Sequence, residues 1–345
     1  MLTRMGDGYM VDMTIDEIRH DVNIAVEEAA KKAKCPPLDK GEIETLINII
    51  CDDKKFVSVD RGNELILTYD SQQEKFERAG IRTSRIQTLK TYERVLMSDT
   101  LEMSARFYDF KYIKPYIAEE QAEVADLLLE TTPMTLYGAM TNLSLYFKPD
   151  GPCDNAAELM PKGLINEARE VQMQAKDYMK NDIVQVGLGM YEAGTDGINF
   201  DTTASGGDCD FLGALEACEI LKDRYPDMVV NIGMSGEFII GYHGKVTYDG
   251  KRLAGMYPHD QALAIAKAGG NVMGAVVNTN TTKSFAWNLA RAVTMCKYCG
   301  EVSPIPIHAN VGMGVGGVPM QITTPIDSVS RASTAMATVA KMDGL

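Results

Sequence analysis

The spacing of apolar positions changes partway along the chain. Near the amino end, RMGDGYMVDMT (4–14) reads as a strand with a Gly-Asp-Gly turn. A charged amphipathic helix follows from Asp16 to about Lys34, until Cys-Pro-Pro at 35–37 breaks it. A second helix is predicted near 41–51. Strand-like runs at 55–59 and 64–69 flank an Arg-Gly-Asn hairpin signal. No linker-like stretch comes next, so residues 1–125 are expected to form an N-terminal α/β elaboration packed on the remainder.

From about residue 133 short apolar runs alternate with helical ones. The strand candidates are MTLYGAM (134–140), GINFDT (197–202), MVVNIGM (228–234), NVMGAVVNT (271–279) and IPIHANVGM (305–313). Amphipathic segments at 210–224, 258–268, 284–299 and 325–340 follow the last four. Strand starts near 197, 229, 271 and 305, and a further one at 343, recur at a spacing that suits βα units around a buried parallel sheet. AGTDGI (193–198), AGGNVM (268–273) and the closing AKMDGL (340–345) share one helix-to-strand punctuation. Residues 126–345 are therefore expected to form most of a TIM-type (β/α)8 barrel, incomplete at the C-terminus, with Leu345 near the start of a strand.

Polar residues gather where these strands end. Asn199, Asp201, Thr202 and Thr203 close one run, Glu237 follows GMSG, and Asn278, Asn280 and Thr281 follow a third. His308 and Asn310 precede a glycine-rich stretch. Loops at the carboxyl ends of barrel strands build active sites, so this convergence predicts a site in a barrel mouth. Glu237, Asp201 and His308 are the catalytic candidates; Asn199, Asn278, Asn280 and Asn310 are the substrate-binding ones. A carboxylate such as Glu237 could hold an ammonium or exchange its proton. Each has a plainer alternative: Asp201 as a helix N-cap, His308 as a hydrogen-bonded core residue, His259 as a cap or surface group. GMGVGG (312–317) lacks the Lys-Ser/Thr of a P-loop, and its glycines equally suit tight turns.

Composition narrows the classes. The net charge of −14 and pI near 4.8 disfavour nucleic acid and anionic membranes, and mildly favour a cationic partner or substrate. Neither a secretory signal nor an apolar run of membrane-spanning length is visible. Seven cysteines, an odd number, fit free thiols in a reducing cytoplasm. Cys296 and Cys299 form a CxxC inside a helical stretch with no second pair or nearby His, which reads as structural rather than as a metal site. The 21 methionines fit flexible core packing.

RMGDG (4–8), LYGAM (136–140), YFKPDGP (146–152), DGINFDTT (196–203), LAGMYPH (253–259), NTNTTKSFAWNLARAVT (278–294) and GMGVGGVPM (312–320) together resemble the dimethylamine:corrinoid methyltransferases of methanogenic archaea. The likeness runs in order over essentially the whole chain. It implies methyl transfer from dimethylamine to the Co(I) corrinoid of a small partner protein, releasing methylamine. It also implies pyrrolysine, encoded by an amber codon, directly after Leu345; its imine forms an adduct with the amine nitrogen that aligns a methyl group with cobalt. The corrinoid would be carried by the dimethylamine-specific partner rather than bound by this chain, in a cytoplasmic homo-oligomer. A chain without the pyrrolysine is expected to be inactive. The competing expectations are a barrel lyase acting on a small acid, for which Lys283 is the nearest Schiff-base candidate, and a non-enzymatic short form that binds the corrinoid protein.

Overall fold

The computed structural model describes residues 1–52, 65–67, 100–102, 136–277, 282–312, 314–320 and 325–345. Strands β1 (Leu2–Arg4) and β2 (Met10–Asp12) form an antiparallel hairpin whose tip is the Gly-Asp-Gly turn. Helix α1 (Ile15–Ala33) starts at a capping box in which Thr14 and Glu17 satisfy each other's backbone amides. Lys34, in the left-handed conformation, ends it just before Cys-Pro-Pro. Helix α2 (Lys40–Cys51) repeats the device with Asp39 and Glu42. Both helices lie where apolar spacing predicts them. Short strands β3 (Leu65–Leu67) and β4 (Thr100–Glu102) pair in parallel. The predicted run at 55–59 lies outside the described residues, as does most of the boundary region near 125.

The main sheet is parallel and follows chain order: β5 (Leu136–Met140), β6 (Gly197–Thr203), β7 (Val229–Met234), then past a small hairpin of β8 (Thr247–Tyr248) and β9 (Lys251–Arg252) to β10 (Val272–Ala275) and β11 (Ile307–Ala309). Helices α3 (Ile165–Glu192), α4 (Asp208–Arg224), α5 (Pro258–Lys267), α6 (Phe285–Val302) and α7 (Ile326–Thr338) lie between or after these strands. Strand and helix positions agree with the βα spacing. Helix α3 was not anticipated: its buried Ala168, Val171, Ala175, Met179 and Ile183 form a thin stripe among charged and amide residues.

One face of the sheet is apolar and buried. Ile198, Phe200, Val230, Ile232, Met234, Met273, Ala275, Ile307 and Ala309 are all at most 3% exposed. Burying Phe200 alone is worth about 2–3 kcal/mol. The sheet stays open, with β5 at one edge and β11 at the other, so among the described residues it does not close into a barrel. Beyond β11, Gly344 makes a parallel bridge with His308; Asp343 N–H donates to Ile307 O and Ala309 N–H to Gly344 O, both at 3.0 Å. Residues 343–344 thus lie beside β11 in an isolated parallel bridge.

The N-terminal segment docks on the carboxyl end of this sheet. Helix α1 packs its Ile18–Ala33 stripe against α6. At the hairpin tip Met5 bridges Ser284, Gly6 N–H donates to Lys283 O at 2.7 Å, and Met320 N–H to Gly6 O. Arg4 Nε sits 3.0 Å from Asp327, a carboxylate only 1% exposed at the start of α7. Short loops and a buried ion pair fasten the amino end over the strand ends.

Candidate active site

The second face of the sheet is polar. In a parallel sheet, paired residues point to the same side, and the register pairs Asn199 with Asn231 and Gly233 with Gly274 and His308. Asn199 and Asp201 of β6, Asn231 of β7 and His308 of β11 therefore share one face, opposite the apolar one. Asn231 Nδ2 donates to Asn199 Oδ1 at 3.0 Å and lies 3.4 Å from His308 Nε2. Asn231 Oδ1 is buried and meets no hydrogen-bond partner among the described residues.

His308 reaches Asn231 by lying across β10, and Gly274 makes that crossing passable. A Cβ at 274 would stand 2.8 Å from His308 Nε2 and 3.0 Å from Cε1, closer than a side chain can sit. Burial of the half-buried imidazole pushes its pKa below the ordinary value, while the Asp201 carboxylate pulls it back up.

Asp201 sits where β6 becomes irregular. The register between β6 and β7 slips between Phe200 and Thr203, and Thr202 adopts φ 49°. Such a bulge re-aims a side chain at a strand end. Asp201 Oδ1 accepts from Thr202 N–H at 2.7 Å, and the side chain is exposed. It is not a helix cap: α4 begins later, with Gly207 at φ 91° as its N-cap. No ion pair holds Asp201 among the described residues.

Two acids in the first turn of α4 fasten the surrounding loops. Asp208 accepts from the backbone N–H of His243 and Gly244 at 2.9 and 2.7 Å. Asp210 accepts from Gly206 N–H at 2.9 Å and from the hydroxyls of Thr141 and Ser205 at 3.3 Å. Burial pushes the Asp210 carboxyl up despite these donors. The ends of β5 and β6 are thereby tied to one helix start, where the helix dipole favours negative charge.

Glu237 stands in a buried ion pair. Arg291 of α6 grips both its oxygens, with Nε to Oε2 at 2.7 Å and Nη2 to Oε1. The side chains are 10% and 4% exposed, and the guanidinium carbon lies 5.4 Å from the Trp287 ring centre. Each carboxylate oxygen thus accepts from the guanidinium, and the pair pins the loop after β7 onto α6. Burial, and secondarily the Glu237 charge, push the Tyr257 phenol up.

Of the remaining candidates, Asn310 stands exposed just past β11, its N–H 3.4 Å from Ala275 O. Asn278, Asn280 and Thr281 lie outside the described residues. The glycine loop takes the plain reading: Gly317, at φ 84°, packs so tightly on α6 that a Cβ would fall 2.5 Å from Leu289 Cα. His259 stacks edge-on against Tyr298 at 5.0 Å near the start of α5. All seven cysteines are free thiols; burial pushes Cys296 up to about 12 and Cys299 further. Among the described residues no group of three or more His, Cys, Asp or Glu side chains could hold a metal, and no helix is long and apolar enough to cross a membrane. Asn231 was missed by attention to strand ends. Its signal was the alternation V-N-G within β7, one polar position in step with Asn199.

A family model described as dimethylamine methyltransferase matches residues 1–345. No solved structure matches the chain.

Proposed function

The chain belongs to the dimethylamine methyltransferase family, and we propose that it moves a methyl group from dimethylamine to the Co(I) corrinoid of a partner corrinoid protein, releasing methylamine. The observation that carries the site assignment is the polar sheet face, where Asn199, Asp201, Asn231 and His308 stand together on strands that are otherwise apolar. On this reading the five parallel strands in chain order are an arc of a (β/α)8 barrel. The polar face is its interior, and the Gly344 bridge to His308 is the start of the next strand.

The residues present fit a positively charged amine. Asp201 offers a carboxylate outside any ion pair of the described residues, and Asn231 Oδ1 a buried acceptor without a partner. Amine nitrogen is a poor leaving group until it carries positive charge; a carboxylate beside it stabilises that charge as it forms and can exchange its proton. Asn199 and Asn231 hold one another, so the acceptor is oriented before substrate arrives. His308, kept neutral by burial, adds a polar group without adding a competing cation. Asp208 and Asp210 keep the bordering loops in place. Glu237 acts from further back, bracing its loop against Arg291.

Pyrrolysine, which the resemblance implies, would supply an imine to take up the amine, and the partner's corrinoid would supply the cobalt chemistry that receives the methyl group. No residue of this chain is assigned to hold the corrinoid.

The test is methyl transfer itself. Enzyme carrying pyrrolysine, mixed with dimethylamine and the Co(I)-loaded corrinoid protein, should convert cobalt to its methylated form with one methylamine released per methyl group. The 345 residues alone should give none. Conversion absent with dimethylamine but present with another methyl donor would replace the substrate; conversion by the 345-residue chain would remove the need for pyrrolysine.

A further inference from the structure

The polar face contains an internal arrangement that goes beyond naming its residues. Asn231 Nδ2 carries two hydrogens: one is committed to Asn199 Oδ1 at 3.0 Å, and the other faces His308 Nε2 at 3.4 Å. With the Asn231 amide so oriented, the facing ring nitrogen accepts and the imidazole proton stands on Nδ1. The ring lies over Gly274, in space that a Cβ there would enter. We propose that Asn231 is a positioning residue that fixes His308 as the neutral, Nδ1-protonated imidazole, so that His308 serves the site as a hydrogen-bond donor and not as its base.

The inference rests on the methyltransferase reading for its purpose, though not for its test. It divides the labour at the site: proton exchange with the amine falls to Asp201, and His308 contributes an N–H. The charged group acting on His308 among the described residues is Asp201 of β6. β7 presents the neutral Asn231, and β10 presents Val272 and Gly274, neither of them charged. The chain beyond β11 meets the ring's own strand through the backbone of Gly344.

Nitrogen-15 imidazole spectra of the labelled protein test this directly, because the chain has only four histidines. His308→Gln assigns the signals. The expected result is an unprotonated Nε2 and a protonated Nδ1 in the wild type at neutral pH. Asn231→Ala should return His308 toward the Nε2-protonated form that free histidine favours. Asn231→Asp, nearly isosteric, should raise its titration midpoint by about one pH unit or more, by setting a carboxylate where an amide stood. Gly274→Ala should disturb the tautomer without touching Asn231. An Nε2-protonated wild type, or a His308 signal unchanged in Asn231→Ala, overturns the inference. Should Asn231→Ala not fold, the Asn231→Asp titration decides. None of these readouts needs catalysis, so a failed methyl-transfer assay alongside the expected spectra would overturn the function and leave the tautomer assignment standing.

Discussion

The two faces of the parallel sheet are made by the same strands and do opposite work. On the helix-covered face, Phe200, Ile232 and Met273 are wholly buried among apolar neighbours. On the other, one residue along each strand, stand Asn199, Asn231, Gly274 and His308. Parallel strands covered on both sides read as near-continuous apolar runs. A period-two alternation in parallel strands is therefore a departure, and it marks the face on which burial has been traded for hydrogen-bonding groups. The glycines belong to the same trade, since Gly274 gives up packing so that His308 can cross. The apolar face should govern stability and the polar face activity.

The largest effect that can break this division comes from the apolar face. Phe200→Ala should cost about 4 kcal/mol in a denaturant titration, while Asn199→Ala on the same strand should cost about 1 kcal/mol or less. Equal losses would mean that the polar face is simply a second core. Next is the Glu237–Arg291 pair, which lies beside the site but is assigned to structure. Arg291→Met should destabilise the protein by about 3 kcal/mol, by leaving a buried carboxylate unpaired, and adding Glu237→Gln should restore most of the loss. A double variant as unstable as the single one would point to a different role for Arg291. The smallest effect concerns acid. Because burial lowers the His308 pKa in the folded protein, the unfolded chain binds more protons below about 6.5. Stability should therefore fall as pH drops from there toward the folded value, and His308→Gln should remove part of that slope in thermal melts from pH 7 to 5. His243 and His259, also lowered by burial, add to the same slope.

Much of the fold was legible because its signals are local. Thr14–Glu17 and Asp39–Glu42 are capping boxes readable by eye, and the βα spacing placed β6, β7, β10 and β11 with their helices. Helix α3 escaped because a long surface helix needs only a narrow apolar stripe. The site was legible in part. Asn199, Asp201 and His308 lie on one face of the sheet. The partner of Glu237, Arg291, lies 54 residues away, and no local pattern announces an ion pair across that span. Asn231 was overlooked for a related reason: its importance comes from register with Asn199 and from a histidine two strands distant. Pairing across strands is the part of the chemistry that a linear pattern does not write down.

The central claim is that Asp201, on the polar face, serves methyl transfer. The most direct test measures cobalt methylation from dimethylamine by pyrrolysine-containing enzyme in two variants of neighbouring strands, Asp201→Asn and Ile232→Val. The account predicts that Asp201→Asn loses about a hundredfold in rate with its melting temperature unchanged, whereas Ile232→Val keeps its rate and loses about 1 kcal/mol of stability. A fully active Asp201→Asn enzyme would contradict it.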